Sequence, residues 1–153
     1  MKKILFTILI TSMPLLCLSQ GMKIKWEDYS GREFSINTHS GQFQYSMIPG
    51  DEIKYNDKYD DKYGSGIVGK VKSIGNVKIE YYDKYDDKYG SGIVGKVKSV
   101  GNIKTEYYDK YDDKYGSGIA GKLKSVGRLK IYYNDKYDNG PAGSIKSTSG
   151  SVN

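Results

Sequence analysis

Residues that carry catalytic and redox chemistry are scarce in this chain. Among its 153 residues it has one cysteine, one histidine, one tryptophan and three prolines. A single cysteine, Cys17, excludes an intramolecular disulfide. The single histidine, His39, stands beside a Ser-Gly turn, and no arrangement marks it as a base oriented by a third group. The sequence therefore argues against an enzyme and calls for no cofactor.

Long apolar runs are also missing, except at the start of the chain. There, two lysines precede an apolar run that begins at Ile4, and Ser19 supplies a small residue at a cleavage position. The run is short for a transmembrane helix and is interrupted by Pro14. We therefore expect residues 1–19 to be a signal peptide. This predicts an exported protein, in the periplasm, at the cell surface or outside the cell, without an integral membrane span.

An internal repeat dominates the rest of the sequence. The segment Tyr81–Glu106 matches the 26 residues before it at 22 positions and the 26 residues after it at 20 positions. A fixed period of this kind is typical of repeat arrays, in which each unit buries its apolar face against its neighbours.

The repeat divides the chain after the signal peptide into three parts. Residues 20–52 predict a diverged N-terminal capping β segment. Residues 53–132 contain three 26-residue hairpin repeats. In residues 133–153 the repeat returns with four residues deleted. Deletions are best tolerated in loops, so the missing residues belong to the connection between strands. These residues therefore predict a truncated C-terminal capping repeat.

Each repeat contains two β-rich segments, GKVKS at 95–99 and IKTEYYD at 103–109 in the middle copy. Strict alternation of side chains places valine and isoleucine on one face and lysine on the other. A loop of odd length would then pair Val71 with Ile79 and keep the two faces separate. We expect an all-β protein, an antiparallel meander of repeated hairpins in a single-layer or curled sheet. The alternative is a β-solenoid.

The repeat pattern, GKVKSIGNVKIEYYD in the first copy, resembles the repeats of uncharacterised exported bacterial β-hairpin proteins. It is similar in style to MORN-type repeats and to the aromatic repeats of choline-binding cell-wall proteins. The resemblance implies an all-β repeat array. The chain lacks the glycine spacing of the former and the paired tryptophans of the latter, so no functional residue is carried over.

Eight of the sixteen tyrosines and a set of strand lysines are the candidate binding residues. Rows of tyrosine rings stack on sugars, because each ring is flat, apolar and carries a polar tip. Lysines along one face attract polyanions such as acidic polysaccharide. Export argues against nucleic acid as the partner, and self-association remains open. The candidates are Tyr59, Tyr63, Tyr82, Tyr85, Tyr89, Tyr108, Tyr111, Tyr115, Lys70, Lys72, Lys96, Lys98, Lys122 and Lys124.

Acidic residues recur in the connection DKYDDKYGSG between repeats. Calcium binds several hard oxygen ligands from one short loop, and each loop offers three carboxylates interleaved with lysines. The candidate metal ligands are Asp57, Asp60 and Asp61, then Asp83, Asp86 and Asp87, then Asp109, Asp112 and Asp113.

These features together predict a non-catalytic binding module for an envelope or extracellular polysaccharide. A periodic surface offers several weak and equivalent contacts to a periodic polymer. Two other functions fit the same residues. One is a purely structural envelope protein, and the other is a calcium-dependent adhesin that uses the aspartate loops.

Overall fold

The computed structural model describes residues 21–152, and its regular structure over that range is β-strand throughout. Eleven strands form two open sheets of three and eight strands. Every strand pair is antiparallel, which confirms the predicted meander and argues against the solenoid. Residues 21–152 contain no helix with the length and hydropathy to cross a bilayer. The predicted signal peptide lies outside the described residues.

The smaller sheet contains β1 (Lys23–Glu27), β2 (Glu33–Asn37) and β3 (Phe43–Tyr45), with β2 in the centre. Apolar and charged residues alternate along β1, so that one face is apolar, as expected for a half-buried strand. The residues buried on this face are Ile24, Trp26, Phe34 and Ile36.

The larger sheet holds the repeats, with each strand paired to its neighbours in the chain. Its strands are β4 (Ile53–Tyr55), β5 (Val71–Ile74), β6 (Val77–Tyr81), β7 (Val97–Val100), β8 (Ile103–Tyr107), β9 (Leu123–Val126), β10 (Leu129–Tyr133) and β11 (Ile145–Ser149).

Two-residue turns join the two strands within each repeat. Ile74 pairs with Val77 across a turn whose first residue, Gly75, has a φ of +55°. Glycine at the first central position is typical of a type II′ turn, which matches the twist of the flanking strands. The predicted odd-length loop, with Val71 opposite Ile79, is therefore wrong.

A β-bulge at a lysine explains this difference. Glu80 pairs with Ser99, but the next residue, Tyr81, pairs with Val97, so Lys98 is an extra residue in its strand. A bulge shifts the alternation of side chains by one residue. Valines three positions apart, Val97 and Val100, are consequently both buried. The same bulge recurs at Lys72, Lys124 and Lys146.

The smaller sheet covers the apolar face of the larger one. Both sheets contribute to one hydrophobic core. The carbonyl of Thr38 accepts hydrogen bonds from the backbone N–H of Leu123 (3.1 Å) and from the Tyr133 hydroxyl (3.3 Å). Gly41 lies against Lys96 and Tyr107 of the middle repeat. The segment predicted as a cap thus contacts the repeats along the array and encloses their core.

A buried arginine anchors the smaller sheet to the first repeat. Arg32 donates to Asp28 (2.6 Å) and Asp51 (2.9 Å), and its guanidinium also reaches the side chain of Asn76 (3.3 Å). The hydrogen bond from Arg32 lowers the pKa of Asp51. The pKa of Asp28 is also lowered, because hydrogen bonds from Arg32 and Ser30 outweigh desolvation.

This anchor predicts an acid-sensitive stability. A carboxylate with a lowered pKa stabilises the fold at pH values above its ordinary pKa of about 3.9, and this contribution is lost as the pH falls through the lowered value. Asp51→Asn should therefore lower the urea midpoint at neutral pH and make its decline in acid shallower. Glu52→Gln, which changes an exposed carboxylate next to it, is the control and should resemble the wild type. Equal acid profiles for all three proteins would contradict this role.

One buried threonine interrupts the apolar core. Thr105 takes the place that Ile79 has in the first repeat, and it is only 1% exposed. Its hydroxyl donates to the carbonyl of Val97. In the neighbouring repeats the equivalent carbonyl accepts a tyrosine hydroxyl instead, as in Tyr81 to Val71 (2.8 Å). The buried Tyr107 hydroxyl is therefore left without a carbonyl partner.

Thr105→Ile should stabilise the protein. It frees the Val97 carbonyl for the Tyr107 hydroxyl, and relieving one unpaired buried hydroxyl should gain about 1 kcal/mol. The reverse change in the first repeat, Ile79→Thr, should cost about 1 to 3 kcal/mol. Urea denaturation of the two variants measures both effects. A Thr105→Ile protein less stable than the wild type would refute this account.

Candidate functional site

The aspartate-rich connections fold into compact turns held by their own carboxylates. In the middle repeat, Asp83 accepts the backbone N–H groups of Tyr85 (2.7 Å) and Asp86 (2.9 Å). Asp86 in turn accepts the N–H of Asp83 (3.0 Å). These reciprocal hydrogen bonds between side chain and backbone explain why aspartate occupies both positions.

The third aspartate of each loop organises the glycine-rich half. Asp87 accepts three backbone N–H groups, from Ser91 (2.7 Å), Gly92 (3.0 Å) and Ile93 (3.3 Å). The equivalent bonds form around Asp61 and Asp113. These carboxylates fix the loop backbone, because charged acceptors make strong hydrogen bonds to N–H groups.

The β-bulge directs one predicted lysine of each repeat towards this loop. Lys98 Nζ lies 2.8 Å from Asp86 and 5.5 Å from the centre of the Tyr82 ring. The pKa of Asp86 is lowered, because hydrogen bonds from Lys98 and the Asp83 backbone outweigh desolvation. The corresponding pairs are Lys72 with Asp60 and Lys124 with Asp112.

The other predicted lysine of each repeat bridges to the next repeat. Lys96 Nζ donates to the carbonyl of Gly121 (2.5 Å) and lies 5.2 Å from the centre of the Tyr107 ring. Desolvation lowers the pKa of this lysine. Lys70 and Lys122 make the same bonds to the carbonyls of Gly95 and Gly143. All six predicted lysines therefore make contacts within the protein, and the side chains of Lys72, Lys98 and Lys124 are still 41% to 44% exposed.

The predicted metal ligands are similarly engaged. Within residues 21–152 no group of three or more acidic, histidine or cysteine side chains is arranged to hold a metal ion. Calcium binding by these loops stays a prediction. His39 lies exposed in the turn after β2, where its backbone N–H bonds the Asn37 side chain (2.9 Å).

The predicted tyrosines fall into two groups. Tyr82 and Tyr108 are half-buried, and their hydroxyls donate to the carbonyls of Thr105 and Ile131, each at 2.7 Å. Burial raises the pKa of Tyr82 to about 12. The others are exposed, between 45% for Tyr89 and 73% for Tyr59, and belong to the loops.

All of these exposed tyrosines except Tyr59 belong to a ladder of pairs across the junctions between repeats. Tyr89 and Tyr111 meet edge to face with ring centres 4.7 Å apart. A lysine of the same loop, Lys110, lies 5.4 Å from the centre of the Tyr111 ring. We call the three equivalent pairs the tyrosine ladder: Tyr63–Tyr85, Tyr89–Tyr111 and Tyr115–Tyr137.

Tyr137 is the member of the ladder that the sequence analysis missed. It lies 26 residues after Tyr111, so the repeat period alone identifies its equivalence. The last repeat departs from the pattern shortly after this position, where four residues are deleted. Pairing between loops, in contrast, has no sequence signal, since the two partners are 22 residues apart.

Two equivalent grooves lie beside the ladder, one at each of the last two junctions. Their volumes are about 340 and 410 Å³. Tyr82, Tyr89 and Tyr107 contribute to the walls of the first groove, and Tyr108, Tyr115 and Tyr133 take the same places in the second. The structure thus repeats one groove with the same lining at two junctions.

Comparison with protein-family models, with curated proteins and with solved structures finds no match to this chain.

The junctions themselves can be tested through their glycines. A Cβ at Gly121 would lie 2.6 Å from the carbonyl oxygen of Ser91, whereas one at Gly69 would meet nothing within 4 Å. Both have a similar positive φ, +76° and +79°. Both alanine variants should therefore carry the left-handed backbone strain, about 1 to 2 kcal/mol. Gly121→Ala should lose roughly 1 to 3 kcal/mol more, because the neighbouring loop is displaced. Equal losses in urea denaturation would show that the junction is not tightly packed.

Proposed function

We propose that this protein is a non-catalytic binding module for an extended polysaccharide, with the tyrosine ladder as its contact surface. The observation that carries the proposal is the recurrence of one exposed tyrosine pair with the same geometry at three successive junctions. Exposed aromatic rings on a rigid support are suited to sugar rings, which offer apolar faces edged by hydroxyls.

The spacing of the ladder supports a polymer as the ligand. Each repeat adds two strands, and strands lie about 4.8 Å apart, so equivalent pairs are expected roughly 10 Å apart along the sheet. This is comparable to the length of one disaccharide unit in an extended β-linked glycan. Linked weak contacts at matching intervals gain affinity without a deep pocket.

The proposal also includes export, which depends on the predicted signal peptide. An envelope or extracellular polysaccharide would be the polymer available to a protein in that location. The loops that carry the ladder are held by aspartate hydrogen bonds and glycines, so the rings are presented on an ordered backbone.

A purely structural role is the second candidate, and one observation favours it. The ladder rings contact each other edge to face, which stabilises such pairs by about 0.5 to 1.5 kcal/mol. In that case the pairs would only brace neighbouring loops. The two candidates differ in what happens to glycan binding when a pair is removed.

We expect the double variant Tyr89→Ala/Tyr111→Ala to lose about tenfold in glycan affinity, because it removes about 1.4 kcal/mol of stacking from one of three equivalent sites. Tyr29→Ala removes a fully exposed tyrosine of the smaller sheet and is the matched control. Binding to a polysaccharide array, at low and high salt and with or without a chelator, provides the measurement.

Stacking contacts should survive both salt and chelator. Binding that vanishes with the chelator would instead support the calcium-dependent adhesin. If no glycan binds under any condition, the polysaccharide proposal fails and the structural role remains.

A further inference from the structure

The tyrosine ladder holds phenol rings in contact at three successive junctions between repeats. Along the chain, the ring centres of the three pairs are 4.9, 4.7 and 5.2 Å apart, and the edge of one ring lies against the face of its partner. All six rings are also exposed, from 45% for Tyr89 to 73% for Tyr137. Two phenols held this close are positioned for a reaction that joins them.

The protein contains a second class of tyrosine pairs, which differs in the state of its hydroxyls. Tyr82–Tyr107 and Tyr108–Tyr133 also meet edge to face, with ring centres 5.6 Å apart in each pair. These four rings are buried or half-buried, and three of their hydroxyls donate to backbone carbonyls. Burial raises the pKa of all four phenols, so they hold their protons more firmly.

The hydroxyls of the ladder, in contrast, are open to water. Within residues 21–152, no hydrogen bond joins any of the six to another residue. Oxidation of a phenol near neutral pH removes the hydroxyl proton together with an electron, so it is favoured at a hydroxyl that is solvated rather than buried. The ladder pairs therefore combine close contact with hydroxyls that can react.

We propose that the tyrosine ladder is a modification site, at which a one-electron oxidant such as a peroxidase with hydrogen peroxide joins each pair as dityrosine. Each phenol gives up one electron and its hydroxyl proton, and together these reduce the peroxide to water. Because the rings are exposed, they can turn until the carbons next to their hydroxyls meet, and the two tyrosyl radicals join there. The hydrogen on each joined carbon leaves as a proton and a proton returns to each oxygen. Both rings become phenols again, and each link removes two hydrogen atoms in total.

Each link connects two neighbouring loops covalently. The two tyrosines of every pair are 22 residues apart, so the three links together tie the loops of the whole array. A covalent link between distant residues restricts the unfolded chain and thereby stabilises the fold. A chain with one cysteine has no intramolecular disulfide to do this. This inference goes beyond the polysaccharide function and does not depend on it.

The test treats the dilute full chain with peroxidase and hydrogen peroxide, isolates the monomer by size exclusion and maps the links by mass spectrometry of tryptic peptides. Tyr115–Tyr137 is the diagnostic pair, because its peptides, YGSGIAGK and YDNGPAGSIK, each occur once in the sequence. We expect these peptides to be joined with the loss of two hydrogen atoms, in about tenfold excess over links within the half-buried pairs. The cross-linked monomer should also have a higher urea midpoint than the untreated protein.

Two phenylalanine variants complete the test, since phenylalanine keeps the ring but has no hydroxyl to oxidise. Tyr137→Phe should abolish the diagnostic link. Tyr59→Phe is the matched control, because Tyr59 has the same place in its repeat as Tyr111, is 73% exposed and contacts no other ring within residues 21–152. It should leave the yield of the diagnostic link unchanged.

Three results would overturn the inference. One is dityrosine found only in covalent dimers, and another is an equal yield of links from the half-buried pairs. The third is a protein without dityrosine under conditions that oxidise free tyrosine in the same solution. All three leave the proposed glycan binding untouched, because that binding is measured without an oxidant.

Discussion

The β-bulge at Lys98, and at the equivalent lysine of each other repeat, is the constraint on which the rest of the structure depends. It shifts the side-chain alternation by one residue, so that Val97 and Val100 both enter the core across a two-residue turn. It also leaves Lys98 out of the regular ladder and within 2.8 Å of Asp86. The bulge in each repeat therefore sets which side chains are buried, allows the two-residue turn, and places a lysine beside the aspartate loop.

Contacts between repeats follow from this arrangement. Each loop packs against a glycine of the next repeat. The carbonyl of that glycine accepts a hydrogen bond from a lysine ammonium group, and a Cβ added to the glycine would collide with the loop. The first such glycine, Gly69, has no preceding repeat and is free of this contact. The smaller sheet then encloses the apolar face of the array. This sheet contacts the first repeat through the hydrogen bond from Arg32 to the Asn76 side chain, and the third repeat through the carbonyl of Thr38, which accepts the N–H of Leu123.

The sequence predicted the all-β class and the antiparallel meander, because the 26-residue period and the alternation of apolar and polar residues can be read directly along the chain. It could not predict the register, since a bulge is invisible to a strict two-residue period. Nor could it show that residues 23–45 cover the repeats, because Thr38 and Leu123 are far apart in the chain. For the site, exposure of the loop tyrosines was predictable from composition. The engagement of the lysines was not, because it depends on contacts between repeats.

The function proposed for this protein depends on one property of the array, namely that its junctions present equivalent surfaces. Two of them have grooves of similar volume and lining, and all three have a tyrosine pair. The most direct test is an NMR titration with a hexasaccharide of the glycan that binds on the polysaccharide array. The account predicts amide shifts at loop residues 83–93 and 109–119 that saturate together. Shifts confined to residues 23–45, or to one loop alone, would contradict it.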